Sequence, residues 1–295
     1  WYTLATRDVR LLRHQMEQVC DLPGNCYFQN YLRCHDDIGW GLDYDFLSRF
    51  GIGEEPHKQY LNSWFTGKWP GSWARGELYN DAASLGEARV CGRTASLCGV
   101  EVGVLEALDN MGSRSLNRGI DCDLMLHAWM FAQTGIPVLY SGDEIGQLND
   151  YGYHDDPAHR SDSRYLHRGR FDFYLASERL EKGTMQHGIY NGLQKLIKAR
   201  AKHEVFCPAA RVSVYDTGDD RVMGLRRAYE GRTFIGLFNF SEQAADIVLT
   251  TQGAGWIDML SGTEVAAADN VPVHLDGYGF RWLLQEKEVR DGTFQ

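Results

Sequence analysis

Residues 31–40 read YLRCHDDIGW, and residues 135–144 read GIPVLYSGDE. Each stretch begins as a short apolar strand and ends in a cluster of polar groups, and a helical stretch precedes the second. A parallel (β/α)8 barrel presents its chemistry in this way, at the carboxyl ends of its strands. The two stretches therefore predict an α/β fold that carries a polar site on one rim.

The composition excludes several classes of protein. Of the 295 residues, 43% are hydrophobic and 24% are charged, which is typical of a globular chain with one large or two ordinary domains. The net charge of −10 argues against a nucleic-acid-binding surface, which needs a basic patch. No apolar run approaches the roughly 20 residues of a membrane span. We therefore expect neither nucleic acid nor a membrane as a partner, and the oligomeric state stays open.

The 7 cysteines are scattered and odd in number. Cys20 and Cys26 are too isolated to suggest a zinc ribbon, so we expect reduced, mostly buried thiols, no metal, no cofactor and a cytoplasmic location. The sequence starts at Trp1 rather than at Met, and we expect it to be a segment of a longer chain. Secretion stays open, because a leader peptide would lie upstream.

The first third of the chain alternates between regular and irregular segments. Residues 1–5 are predicted as the end of a strand, and apolar residues from Val9 to Val19 then recur at helical spacing. Residues 26–34 are predicted as the strand that ends in the first polar cluster. Residues 39–99 are too long for a simple connection, and long loops inside a domain are usually functional. We predict an elaborated loop over the active-site face there.

The rest of the chain changes character near its middle. Residues 124–133 are predicted as a buried helix, 138–140 as the next strand, and 189–201 as another helix. From about residue 205, short strands separated by Gly, Asp and Asn turns indicate an antiparallel sheet or sandwich. We therefore divide the chain into one domain of residues 1–204 and a second of residues 205–295.

The cluster His35-Asp36-Asp37 has several interpretations on its own. It is compatible with a metal site, a helix cap, a solvated turn or a catalytic group, although polar clusters on loops of a rigid scaffold are enriched in function. The second stretch favours the functional interpretation, because the pattern GxPxxYxGDE is long and follows the first in a fixed order.

The two stretches together resemble the last two barrel strands of the α-amylase family (glycoside hydrolase family 13), and most of all its amylosucrase branch. Residues 238–241 (FNFS) and 258–262 (DMLSG) stand where the family's C-terminal sandwich has similar stretches. The resemblance implies the C-terminal part of a (β/α)8 barrel, about strands 6–8, followed by an all-β antiparallel sandwich. It also implies a retaining enzyme that cleaves sucrose or a related α-glucoside and transfers the glucosyl unit to a glucan or to water.

The resemblance assigns catalytic roles by motif position. Retaining glycosidases use one carboxylate as nucleophile and a second as acid/base, around an oxocarbenium-like transition state. Asp36 corresponds to the family's third carboxylate, which stabilises that transition state, and His35 assists it. The nucleophile and the acid/base lie upstream of Trp1 by this alignment. We therefore expect these 295 residues alone to have no glycosidase or transglucosylase activity.

The resemblance also implies a set of substrate-binding residues. Arg164, in the stretch DSRY at residues 162–165, corresponds to the arginine that closes the glucosyl pocket. Asp37 and Arg89 line the acceptor side, and Asn80 stands where amylosucrases have a glutamine. Without the resemblance, both arginines read as solvated surface residues.

Other interpretations stay open at this stage. Residues 91–93 read CGR where SGT is usual, on the side that selects water, fructose or a glucan as acceptor, so the departure counts against polymerisation more than against sucrose cleavage. A sucrose or α-glucan hydrolase is one alternative, and a non-catalytic carbohydrate-binding relative is another. Asp143 and Glu144 suggest acid/base work, but the family uses this position to support the barrel rim. Trp64, Trp69 and Trp73 can stack on sugars, although packing within the loop is the stronger prediction.

Overall fold

The computed structural model describes residues 1–20, 22–23, 26–80, 88–109, 111–251, 255–265 and 268–285. Within these ranges the α-helices are α1 (Tyr2–Thr6), α2 (Arg10–Val19), α3 (Tyr44–Ser48), α4 (Glu54–Phe65), α5 (Thr94–Leu97), α6 (Val100–Leu108), α7 (Arg114–Ala132), α8 (Phe173–Ser177) and α9 (Met185–Lys202). The strands are β1 (Gln29–Asn30), β2 (Glu77–Tyr79), β3 (Arg89–Cys91), β4 (Ile136–Pro137), β5 (Arg211–Tyr215), β6 (Val222–Tyr229), β7 (Arg232–Asn239), β8 (Ala245–Thr250), β9 (Trp256–Asp258), β10 (Glu264–Val265), β11 (Asn270–Leu275) and β12 (Phe280–Gln285). Short 3₁₀ helices occupy Asp143–Ile145, Tyr151–Asp155, Ser163–His167, Glu178–Leu180 and Glu204–Phe206.

Strands β1 and β4 pair in parallel and bring the two sequence motifs together. The Ile136 amide donates to the Phe28 carbonyl at 2.8 Å, and the Val138 amide donates to the Asn30 carbonyl at 2.8 Å. Gly135 precedes β4 with φ +106°, and a Cβ there would lie 2.3 Å from the Phe28 oxygen. Only glycine fits this close approach. Because the strands are parallel, the residues that follow them emerge at the same end of the pair.

The barrel prediction is supported only in part by this arrangement. The described residues contain one parallel pair, whose strands are connected through the long helix α7. Two strands do not define a barrel, so strands 6–8 of a (β/α)8 barrel stay a prediction.

The strand predicted at residues 1–5 is wrong, since α1 lies there. Its backbone groups bond locally, with the Arg7 amide donating to the Thr3 carbonyl at 2.8 Å. Arg7 then ends the helix in the left-handed conformation.

The predicted loop at residues 39–99 is more regular than its sequence suggests. It contains helices α3, α4 and α5 and the antiparallel hairpin β2–β3, while residues 81–87 lie outside the described residues. Ile38 and Val90 exchange two backbone hydrogen bonds, which ties the first motif to this hairpin. Trp64 and Trp73 are buried and contact each other edge to face at 5.7 Å, as expected for packing. Trp69, in contrast, is 44% exposed.

Helices α7 and α9 form the main helical layer. Both helices begin earlier in the chain than the ranges predicted from the sequence. Thr184 caps the N-terminus of α9 by accepting a hydrogen bond from the His187 amide. Trp129 of α7 meets Phe238 of β7 edge to face at 5.3 Å. The helical layer and the β region therefore share one hydrophobic core. Among the described residues, no helix combines the length and the apolar character needed to cross a membrane.

The C-terminal region is an antiparallel β structure, as the sequence predicts. Six strands follow the order β10-β9-β12-β7-β6-β5, and β8 pairs with β11 in a separate two-stranded sheet. Ile235 and Leu237 of the first sheet share a core with Ile247 and Leu249 of the second. The domain boundary at residue 204 stays a prediction.

Candidate active site

Asp36 follows the parallel pair and points its carboxylate to the surface. Its side chain is 51% exposed, and its Oδ1 lies 3.6 Å from Nη1 of Arg164. The Asp37 amide donates to Oδ1 at 2.9 Å. This hydrogen bond, helped by the nearby Arg164, lowers the pKa of Asp36 below its usual value. Asp36 is therefore an ionised carboxylate at neutral pH and acts as a hydrogen-bond acceptor.

Arg164 is fixed beside Asp36 by a second carboxylate. Its Nε and Nη2 donate to the two oxygens of Asp162, each at 2.9 Å, and its guanidinium lies 4.5 Å from the ring centroid of Tyr79. The hydrogen bonds to Asp162 raise the pKa of Arg164. A bidentate pair fixes the plane of a guanidinium, so Nη1 remains directed toward Asp36.

Asp37 and Arg89 form a second pair next to the first. Arg89 Nη1 lies 3.4 Å from Asp37 Oδ1, with the Asp37 side chain 4% exposed and that of Arg89 46% exposed. Within the described residues, Oδ2 of Asp37 is buried and accepts no hydrogen bond. A buried carboxylate oxygen that lacks a partner is costly, and a ligand hydroxyl would satisfy it.

The remaining predicted site residues lie at the edge of these two pairs. His35 is exposed, and its backbone carbonyl accepts a hydrogen bond from Arg168 Nε at 2.7 Å. Asn80 is exposed after β2 with φ 55°. In the part of the chain that the structure describes, Asn80 makes no hydrogen bond to the other predicted site residues. The structure thus brings together Asp36, Arg164 and the acceptor-side pair, and leaves Asn80 apart from them.

Two buried side chains beneath the site were missed by sequence reasoning. Arg33 is 3% exposed and donates to the Asp36 carbonyl at 2.7 Å. His167 is fully buried and accepts a hydrogen bond from the Gly92 amide at 3.3 Å. The available signal was the position of Arg33 within the apolar strand that the sequence predicts at residues 26–34, because a buried charge requires specific partners.

Asp143 is buried and Glu144 is partly buried, and both bond within the protein. Glu144 Oε2 accepts a hydrogen bond from the Gly142 amide at 2.7 Å, which closes its own turn. The Asp143 side chain is 3% exposed and lies 3.8 Å from His127, whose other ring nitrogen lies 3.1 Å from Asp123. Burial alone lowers the pKa of His127, but the carboxylates of Asp123 and Asp143 together outweigh it and raise that pKa to about 10. This geometry agrees with the structural interpretation of the pair.

The chain is similar in sequence to known carbohydrate-active proteins. Residues 212–282 match the family described as Maltogenic Amylase, C-terminal domain. Glucosylglycerate phosphorylase of Escherichia coli is 26% identical over 129 residues, which cover 43% of this chain and 22% of that protein. Cyclomaltodextrinase of Thermoanaerobacter pseudethanolicus is 26% identical over 143 residues, which cover 48% of this chain and 21% of that protein. Each match thus spans about a fifth of the relative.

Two solved structures share the fold. Sucrose 6F-phosphate phosphorylase from Thermoanaerobacter thermosaccharolyticum aligns with a TM-score of 0.57 and 18% identity over 92% of this chain and 45% of its own. AmyP, solved in complex with maltotriose, aligns with a TM-score of 0.50 and 17% identity over 63% of this chain and 38% of its own. The matches support the resemblance to the α-amylase family. None of them is specific to amylosucrases.

Proposed function

We propose that this chain supplies the glucosyl-holding side of an α-glucoside-processing enzyme, with Asp36 as the transition-state-stabilising carboxylate and Arg164 closing the glucosyl pocket. The observation that carries the proposal is the Asp36–Arg164 pair, with 3.6 Å between Oδ1 and Nη1. The pair joins a carboxylate of lowered pKa to an arginine that a second carboxylate fixes. Both residues follow strands of one parallel pair.

The chemistry of the transition state explains why an ionised carboxylate is needed here. Positive charge develops on the sugar ring during glycosidic cleavage, and hydrogen bonds to ring hydroxyls tighten as it develops. An ionised Asp36 can accept such hydrogen bonds and stabilise the positive charge. About half of its side-chain surface is open to a ligand. The proposal takes the nucleophile and the acid/base from outside residues 1–295, in line with the resemblance.

For the donor, we propose sucrose or a related α-glucoside, cleaved in an amylosucrase-like manner. The support is the DSRY stretch around Arg164 and the position of Arg89 beside Asp37 at the acceptor side. The buried, unpartnered oxygen of Asp37 suits a hydroxyl-bearing acceptor. A glucan, fructose or water can then receive the glucosyl unit.

A second candidate is phosphorolysis, in which inorganic phosphate receives the glucosyl unit. Two of the similar proteins are named as phosphorylases. The Arg89 guanidinium supports this candidate, because it is 46% exposed beside the proposed acceptor position. A guanidinium matches the geometry of phosphate oxygens.

Product analysis with the natural protein that carries this chain tests the proposal. The purified protein is given sucrose and other α-glucosides, with water alone, with added glucan, or with inorganic phosphate. Free glucose indicates hydrolysis, an elongated glucan indicates transfer, and glucose 1-phosphate indicates phosphorolysis. Binding of α-glucosides without any cleavage would favour the non-catalytic carbohydrate-binding alternative. A folded protein that neither binds nor cleaves them would refute the proposal.

A further inference from the structure

We infer that Arg33 and His167 are positioning residues, which together fix the backbone of His35 and Asp36 and so aim the Asp36 carboxylate. The inference rests on the proposed function of Asp36 and adds two residues to that site. Neither side chain reaches the surface, since Arg33 is 3% exposed and His167 is fully buried. They act through the backbone beneath the site.

Arg33 cross-links two turns through its guanidinium. Nη2 donates to the Asp36 carbonyl at 2.7 Å, and Nε donates to the Gly92 carbonyl at 2.8 Å. The first carbonyl belongs to the turn after β1, and the second follows β3. One rigid side chain therefore sets the distance between the Asp36 turn and the hairpin that carries Arg89.

The partners of Arg33 indicate why an arginine occupies this position. Within the described residues, no carboxylate forms an ion pair with Arg33, and the oxygen atoms that accept its hydrogen bonds are the backbone carbonyls of Gly92 and Asp36. Burial consequently lowers the pKa of Arg33. A buried charge without a counter-ion is costly, and an apolar side chain of similar volume would pack without that cost. An apolar side chain has no N–H groups to donate to these carbonyls, which explains why an arginine occupies this position.

His167 connects the same turns from the other side. Its Nδ1 accepts the Gly92 amide hydrogen at 3.3 Å, which places the ring proton of the neutral imidazole on Nε2. The ring also hydrogen-bonds to the backbone of His35. Arg33 Nη2 lies 3.4 Å from Nε2, so the positive charge that a second ring proton would add to the imidazole stands close to the fixed positive charge of Arg33.

The charges around His167 keep it neutral. Burial, followed by the positive charge of Arg33, lowers the pKa of His167 to about 3, and Arg168 and Arg93 act in the same direction. The His35 backbone, which hydrogen-bonds to the ring, acts in the opposite direction. A neutral imidazole keeps one donor and one acceptor over the whole physiological range, so this hydrogen-bond pattern does not change with pH.

The loop that follows β4 completes the arrangement. The Tyr140 hydroxyl donates to the His167 carbonyl at 3.1 Å, and Arg168 Nε donates to the His35 carbonyl at 2.7 Å. The segments after β1, β3 and β4 therefore meet at Arg33 and His167. A catalytic group displaced by about 1 Å can lose on the order of 10²-fold in rate. Fixing this junction is thus a condition for the proposed role of Asp36.

Two readouts in the natural protein that carries this chain test the inference. The variants are Arg33→Met, which removes the donors, the milder Arg33→Lys, and His167→Gln. The control is Arg221→Met, at a partly exposed ion pair with Asp219 that lies outside the site. The first readout is the carboxyl ¹³C titration of Asp36. Asp43 serves as the internal reference, because the pKa of its carboxyl is also lowered by a backbone hydrogen bond, from Phe46.

In Arg33→Met and His167→Gln we expect the pKa of Asp36 to rise toward its usual value while that of Asp43 stays unchanged. The second readout is α-glucoside turnover, where we expect kcat to fall about 10- to 100-fold with a smaller change in KM. Arg33→Lys should be intermediate, and Arg221→Met should match the wild type. If Arg33→Met does not fold, Arg33→Lys and His167→Gln decide the question.

An unchanged Asp36 titration and an unchanged kcat in the folded variants would overturn the inference. A fall in kcat that only follows the folded fraction, with the Asp36 titration unchanged, would also overturn it. If the Asp36 titration shifts as expected but the wild-type protein turns over no α-glucoside, the positioning role stands and the proposed function fails.

Discussion

Arg164 Nη1 lies 3.6 Å from Asp36 Oδ1, and the bidentate pairing of Arg164 with Asp162 fixes the arginine in that place. Asp36 lies in the turn that follows β1, and Arg164 lies in the 3₁₀ helix Ser163–His167, which comes after β4 in the chain. The Asp37 amide and the arginine together favour the ionised form of Asp36. The carboxylate is therefore charged and oriented before any ligand binds, as electrostatic preorganisation requires.

The two arginines should differ in what they control. Arg164→Ala should lower kcat/KM for α-glucoside cleavage by roughly 10²-fold, the size of effect seen when one preorganised group is removed. Arg89→Ala should mainly change the ratio of hydrolysis to transfer, because Arg89 pairs with Asp37, which we propose to lie at the acceptor side. Product ratios and initial rates measure both effects.

Arg164→Ala should change the melting temperature little, because Arg164 and Asp36 are partly exposed and such ion pairs contribute about 0–1 kcal/mol. Arg89→Ala should lower it more, because it leaves the buried Asp37 carboxylate without its arginine. Arg232→Ala is the matched control, since Arg232 forms an exposed pair with Glu204 at 3.0 Å in the β region. Parallel, equal losses of activity in Arg164→Ala and Arg89→Ala would show that both arginines are structural.

A methyl group at Gly135 should disrupt the parallel pair. Gly135→Ala places its Cβ 2.3 Å from the Phe28 carbonyl oxygen, at the hydrogen bond that joins β1 to β4. We expect a loss of more than about 2 kcal/mol in the free energy of unfolding, because the strain of the left-handed conformation and the steric clash add. Urea denaturation measures the change.

Gly218→Ala provides the comparison for Gly135→Ala. Gly218 also has a positive φ, +71°, but a Cβ there meets nothing within 4 Å. Only the backbone strain applies, so we expect a loss of about 1–2 kcal/mol. Similar losses at the two glycines would contradict the close approach of β1 and β4.

The buried His127–Asp123 pair predicts a pH-dependent stability. The folded-state pKa of His127 is raised to about 10, above its usual value near 6.5. Its contribution to stability is therefore fully present below about pH 6.5 and is lost as the pH rises through 10. Urea unfolding at a series of pH values between 6 and 10 should show this decline.

Asp123→Asn removes the carboxylate that raises the pKa of His127 and should flatten the decline. Loss of one partner of a buried pair should also lower stability by about 3–5 kcal/mol at pH 6. Asp246→Asn is the control, because Asp246 pairs with His274 at 2.7 Å on the exposed surface and should matter little. An unchanged pH dependence in Asp123→Asn would contradict the assignment.

The sequence predicts best those elements whose pattern is local. Helix α9 and the strands of the C-terminal sheets follow from apolar periodicity, which depends only on neighbouring residues. The short run at residues 1–5 is ambiguous between strand and helix, because a pattern of five residues shows no clear period, and the predicted strand is a helix in the structure. The regular structure within residues 39–99 depends on tertiary contacts, such as the bonds between Ile38 and Val90, which spacing does not reveal.

In the candidate site, too, motif residues are predictable from the sequence, whereas residues that act through tertiary contacts are not. The order of the two motifs predicts that Asp36 and Arg164 lie at one rim, and the structure brings them together. Their roles, and those of His35 and Asn80, stay predictions. Arg33 and His167 escaped prediction because their importance depends on burial and on backbone partners far along the chain. A sequence pattern shows the residue type but not the environment that gives it a function.

Substitution of Asp36 by asparagine, in the natural protein that carries this chain, tests the central claim most directly. Asparagine keeps the size of the side chain but cannot carry the negative charge that stabilises the oxocarbenium-like transition state. We predict that Asp36→Asn lowers kcat for α-glucoside cleavage by roughly 10²-fold or more, with little change in melting temperature. A variant that folds normally and keeps near wild-type turnover would contradict the account.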